Sequence, residues 1–97
     1  MSNSHKKGWH DFLTLCTKFQ TTKELDEAFN LFMTHEEKEA LSSRYLIVKS
    51  LLEGTITQRE MSEKFKVSIA QITRGSNALK IASVKFKEML KNRIGLS

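Results

Sequence analysis

The amino-acid sequence predicts an all-helical protein, and three observations carry that expectation. Proline is absent from the 97 residues, and apolar residues recur three and four apart rather than in a strand's alternation. A helix-start signal, Ser/Thr-x-x-Glu/Gln, appears at Thr21/Glu24, Thr34/Glu37, Thr57/Glu60 and Ser68/Gln71. In this signal the hydroxyl accepts from a free N–H of the first turn, and the carboxylate or amide reaches back to the N–H of the capping residue.

A first helix is expected from Trp9 to Gln20, where Trp9, Phe12, Leu13, Cys16 and Phe19 form one apolar stripe. A second starts at Thr21 and carries Leu25, Ala28, Phe29, Leu31, Phe32 and Met33. A third starts at Thr34 and runs to Gly54, a residue suited to the left-handed turn beyond a helix end. The segments Leu25 to Met33 and Tyr45 to Leu52 are apolar on more than one face. That is too much for surface helices of a small monomer and favours a core completed by a second copy. The chain is thus read as one domain, 1–97, with a helical dimerisation core over about 9–54. Beyond it, Thr57 starts a short fourth helix and Ser68 a fifth. A sixth is expected over 83–95, with Val84, Phe86, Met89, Leu90 and Ile94 apolar.

Charge is uneven. Residues 1–56 hold 7 Lys/Arg against 8 Asp/Glu, whereas residues 57–97 hold 9 against 3, so the net +5 resides in the second half. Such a field suits a polyanionic partner, because each cation placed near a phosphate releases condensed counterions. Cys16 is the single cysteine, so no intrachain disulfide is possible; His5, His10 and His35 are scattered, and no metal site is expected. The N-terminus lacks the apolar block of a signal peptide, and no run approaches a membrane span, so a cytoplasmic protein is expected. No nucleophile–base pair, metal cluster or phosphate-binding glycine loop appears, which argues against an enzyme.

The basic half opens with TQREMSEKFKVSIAQITRG, Thr57 to Gly75. Two short helices joined by a three- or four-residue turn make a helix-turn-helix, here over 57–76, whose second helix can enter the major groove. Met61 and Phe65 are expected to face inward, Val67 to plug the turn, Ile72 to hold the second helix, and Ser62 to be small where the helices cross. Lys66 occupies the left-handed turn position usual for glycine, at a cost of about 1 kcal/mol. The candidate DNA-facing residues are Gln58, Arg59, Lys66, Ser68, Ile69, Ala70, Gln71, Thr73 and Lys80. Gln and Arg can pair bidentately with base edges, and Ser, Thr and helix-start amides can hold phosphates. The competing reading is a helical module that binds protein or RNA, indifferent to half-site spacing.

ITRGSNALK, Ile72 to Lys80, together with TQRE and MTHEEKEALSSRYLIVKSLLEG, resembles the bacterial Trp repressor family. That family is itself among the known helix-turn-helix proteins. The resemblance runs from about Trp9 to Leu90. It implies a six-helix intertwined homodimer with a helix-turn-helix reading head, a transcriptional repressor of tryptophan biosynthesis genes. L-tryptophan would be its corepressor, with no other cofactor, and double-stranded operator DNA its target. It places the indole between Arg44 and Arg74, with Gly75 admitting the ring close to the backbone. Thr34 would help hold the carboxylate, and the carbonyls of Leu31 and Met33, from a partner chain, would receive the amino group. At Ala78 the family usually has a serine that assists the amine; at Gln71 it commonly has threonine. The alanine opens an alternative: a repressor of the same fold answering to a different indole ligand or to none.

Overall fold

The computed structural model describes residues 1–96 and contains six α-helices and, among those residues, no strand. They are α1 (Asn3–Cys16), α2 (Thr22–Phe32), α3 (His35–Glu53), α4 (Gln58–Phe65), α5 (Ile69–Ile81) and α6 (Val84–Ile94).

Helix α1 departs from the expected Trp9–Gln20 at both ends. It starts at Asn3 because the Ser2 hydroxyl caps it, accepting from the His5 N–H at 3.2 Å. The apolar stripe that marks it in the sequence begins only at Trp9. It stops at Cys16 because hydroxyls compete for its carbonyls. Thr14 Oγ1 donates to the His10 carbonyl and Thr17 Oγ1 to the Thr14 carbonyl. The next N–H groups, of Lys18 and Phe19, bond three residues back, to Leu15 and Cys16, in a tightened last turn. Phe19 therefore continues the apolar pattern without belonging to the helix.

The starts of α2 to α5 follow the helix-start signals, while α6 is capped by Ser83, whose hydroxyl accepts from the Phe86 N–H at 3.0 Å without a Glu or Gln partner. At Thr34 the box is closed in both directions, Glu37 N–H to Thr34 Oγ1 at 3.1 Å and Thr34 N–H to Glu37 Oε1 at 2.8 Å. At α2 the Glu24 carboxylate reaches one residue further back, to the Gln20 N–H at 2.9 Å. Gly54 ends α3 and Gly95 ends α6, both with positive φ.

Packing divides the chain into two compact units, Met1–Lys38 and the remainder from Glu39 on. In the first, aromatic side chains meet across α1 and α2. The Phe12 ring stacks on Trp9 and Phe29, at 6.0 and 5.9 Å, and meets Phe32 edge-on at 5.5 Å. Lys38 reaches back to the Asn30 side chain across the α2–α3 turn. Neither α1 nor α2 has a buried residue, and Leu31 is 78% and Phe32 54% exposed.

The second unit has a small, closed core of Ile47, Met61, Val67 and Ile72, flanked by Leu51, Ile56 and Phe65. It joins α3 to the α4–α5 pair. Gly75 makes the α3–α5 approach possible: a Cβ there would lie 2.7 Å from Ile47 Cγ2. No helix among the described residues is long and apolar enough to cross a membrane.

Candidate ligand cleft and nucleic-acid interface

The α4–α5 pair is a helix-turn-helix whose parts the sequence assigns correctly. Met61, Val67 and Ile72 are buried and Phe65 packs against them. Lys66 adopts φ 56°, ψ 45°, the left-handed conformation, as the one non-glycine residue with positive φ among those described. Ser62 does more than leave room. Its hydroxyl donates to the Val67 carbonyl at 2.7 Å, tying α4 to the turn and satisfying a carbonyl that the αL residue strands.

Both helices begin with closed capping boxes of different charge. At α4, Glu60 Oε1 accepts from the Thr57 N–H at 3.0 Å, and these Thr57 hydrogen bonds hold the Glu60 carboxyl below its ordinary pKa. At α5, Gln71 Oε1 accepts from the Ser68 N–H at 2.8 Å, so the first turn carries no acidic residue. The positive end of the α5 dipole is thereby left for an external anion rather than offset by a carboxylate.

Gln58, Arg59, Lys66, Ser68, Ile69, Ala70, Thr73 and Lys80 are all exposed, on α4, the turn and α5. Ile69 and Ala70 present apolar groups of the kind that contact thymine methyls, while the charged and polar members suit phosphates and base edges. Arg59 is engaged with Glu63, Nε to Oε1 at 3.3 Å. An exposed i,i+4 pair of this sort is worth about 0.3–0.5 kcal/mol, little enough for a phosphate to displace. Gln71 differs from the rest of this set: it is half-buried.

Gln71 lies in the wall of a cleft of about 310 Å³, lined by Ala40, Leu41, Arg44 and Ile47 of α3 and by Gln71 and Arg74 of α5. The two arginines singled out in the sequence thus share one cavity, thirty positions apart in the chain. The cleft volume stands at the small end of the range for small-molecule sites, and two guanidinium groups beside an apolar floor suit a planar aromatic acid. Gly75 is buried, with Arg44 Cδ 3.8 Å from where its Cβ would stand. Its absent side chain serves the α3–α5 contact first. Ala78 is exposed. Ala40, Leu41 and Ile47 line the cleft, and nothing in their spacing along α3 distinguishes a cleft wall from a core face.

Thr34, Leu31 and Met33 belong to the first unit, at the α2–α3 junction. Met33 is extended, and its N–H returns to the Phe29 carbonyl at 2.8 Å. Thr34 Oγ1 accepts from Glu37, which leaves its O–H able to donate. The last turn of α2 carries no basic residue of its own, and Lys38, from α3, stands against its Asn30 side chain.

The family model of the Trp repressor protein matches residues 7–94. A Trp operon repressor homolog of Chlamydia trachomatis serovar D is 53% identical over 94 residues, covering 97% of this chain and all of the relative. One from Chlamydia caviae is 55% identical over 89 residues, 92% of this chain and 88% of the relative. A third, from Vibrio vulnificus, is 42% identical over 82 residues, covering 84% and 80%.

Proposed function

The chain belongs to the Trp repressor family, and on that premise we propose that it is a DNA-binding repressor of tryptophan biosynthesis genes that L-tryptophan switches on. It would act in the cytoplasm as a homodimer, with no catalytic role. The observation that carries the proposal is the shared cleft of Arg44 and Arg74, set directly behind the reading helix α5.

In this reading the indole lies between the two guanidinium groups, each stacking worth about 0.5–2 kcal/mol, and Arg74 pairs with the carboxylate. Arginine suits both tasks better than lysine, being planar and permanently charged. A second copy of the chain supplies the Thr34 hydroxyl to the carboxylate and the carbonyls of Leu31 and Met33 to the ammonium. That assignment follows the family resemblance. A filled cleft braces α5, so that the Ser68–Ala70 end is held at the separation that two major-groove half-sites demand. Linkage requires the converse: DNA tightens the hold on the ligand by the same factor.

The intertwined dimer is supported by the helices themselves. α1, α2 and α6 have no buried residue, yet they carry Trp9, Leu13, Leu31, Phe32, Val84, Phe86 and Met89 on exposed surface. A folded protein does not leave that much apolar area to water without a partner surface.

Ala78 favours a second reading, the same repressor with a different indole ligand or none. Without a serine hydroxyl there, the amine loses a hydrogen bond worth on the order of 1.5–3 kcal/mol. Calorimetric titration separates the two. L-tryptophan binding that exceeds indole-3-propionate binding supports the amino-acid corepressor; the reverse order supports the alternative. Arg74→Ala is expected to abolish L-tryptophan binding while leaving helicity and dimer intact, and undiminished binding by that variant would remove Arg74 from the site.

A further inference from the structure

Gln71 stands where two requirements meet. Its side-chain oxygen accepts from the Ser68 N–H at 2.8 Å, and its own N–H donates to Ser68 Oγ at 3.1 Å, which closes the start of α5. The same side chain walls the cleft with Arg44 and Arg74. The helix-start pairs at α2, α3 and α4 use Glu24, Glu37 and Glu60 in this position; here the residue is neutral. A glutamate at 71 would cap equally well, but it would put a carboxylate beside both guanidinium groups and offset the charge an acidic ligand needs. Glutamine keeps the cap and leaves the arginines their charge.

We infer that Gln71 is the positioning residue that transmits occupancy of the Arg44–Arg74 cleft to the first turn of the reading helix. The inference rests on the ligand-switched reading above. A free glutamine side chain samples many rotamers, in only some of which it reaches the Ser68 N–H. A ligand filling the cleft packs against its stem and removes the alternatives. The cap stays closed, and Ser68, Ile69 and Ala70 are presented in one conformation. This route through one side chain acts alongside the bracing of α5 as a whole.

The test measures the coupling ratio: the affinity of the full-length protein for a duplex chosen from a randomised inverted-repeat pool, with saturating L-tryptophan and without it. Gln71→Leu keeps the apolar stem and loses the cap. Whatever its own affinity for L-tryptophan, its coupling ratio measured at saturating ligand is expected to fall about fivefold or more, the scale of one helix cap. Gln71→Glu restores the cap and should do the opposite, keeping the ratio but weakening L-tryptophan binding about tenfold. A purely structural role would lower the melting temperature without separating the two quantities. Hydrogen exchange on the wild type gives a reading independent of any variant: amide protection over 68–72 should rise when L-tryptophan is added. A Gln71→Leu protein with a wild-type coupling ratio, or unchanged protection over 68–72 in a wild type that binds the ligand, overturns the role of Gln71 alone. A wild type with no ligand-dependent affinity overturns the switch reading and this role together.

Discussion

The helix-turn-helix and the helices that flank it solve the burial problem in opposite ways. α4 and α5 close on α3 within one chain: Ile72 is fully buried, Met61 and Val67 nearly so, and the turn is fastened by Ser62. α1, α2 and α6 bury nothing completely, although their apolar side chains are larger. The difference teaches that α4 and α5 complete their core locally with α3, whereas the apolar faces of α1, α2 and α6 remain open in the single chain.

The largest expected effect lies in those open faces. Phe32→Ala removes a ring that is half-exposed in the single chain, where the loss should be slight. If a second copy covers it, the cost is that of a buried ring, about 3–5 kcal/mol, and unfolding midpoints in urea become steeply dependent on protein concentration. A variant of near wild-type stability would mean that this face meets water and that the comparison is misdrawn.

Next is the joint between α5 and α3. Gly75→Ala should gain the usual helix preference of about 1 kcal/mol but force a methyl onto Ile47 Cγ2 in a packed core, at about 1–3 kcal/mol. Because Ile47 is itself buried and anchored at its Cβ, the steric term wins and the melting temperature falls. A more stable variant would show that α3 and α5 part easily.

Within the head, Lys66→Gly relieves a left-handed lysine and should raise stability by about 1 kcal/mol in chemical denaturation. The same change removes a cation from the turn, so DNA binding should weaken and its salt dependence should flatten by about one phosphate contact. Stability gained without any change in salt slope would place Lys66 away from the DNA.

The smallest effect is electrostatic. Glu60 has a depressed pKa in the folded protein, so its contribution is present above the unfolded-state value and is lost as pH falls through the lower folded-state one. Melts of the wild type and of Glu60→Gln should therefore converge as the pH drops below the ordinary carboxylate value of 4.5. A gap that persists in acid would assign the difference to packing.

How much of this was legible in the sequence follows from how local each cause is. The caps at Thr21, Thr34, Thr57 and Ser68 and the strained Lys66 depend on neighbours within four residues, and they were readable. The ends of α1 were not, because Ser2 caps without an acidic partner at the third position and because the Thr14 and Thr17 hydroxyls draw on backbone carbonyls that the apolar periodicity ignores. The pairing of Arg44 with Arg74 came from family resemblance; residue spacing alone gives no reason to join them. The contact of Gly75 with Ile47, and the double duty of Gln71, are tertiary facts with no local signature.

The most direct test of the central claim is an anisotropy titration of the selected duplex with the wild-type protein, at one fixed salt concentration, with and without L-tryptophan. The account expects the ligand to tighten binding, by about 5- to 150-fold if the coupling is of ordinary size. Equal affinity in the two titrations would contradict it.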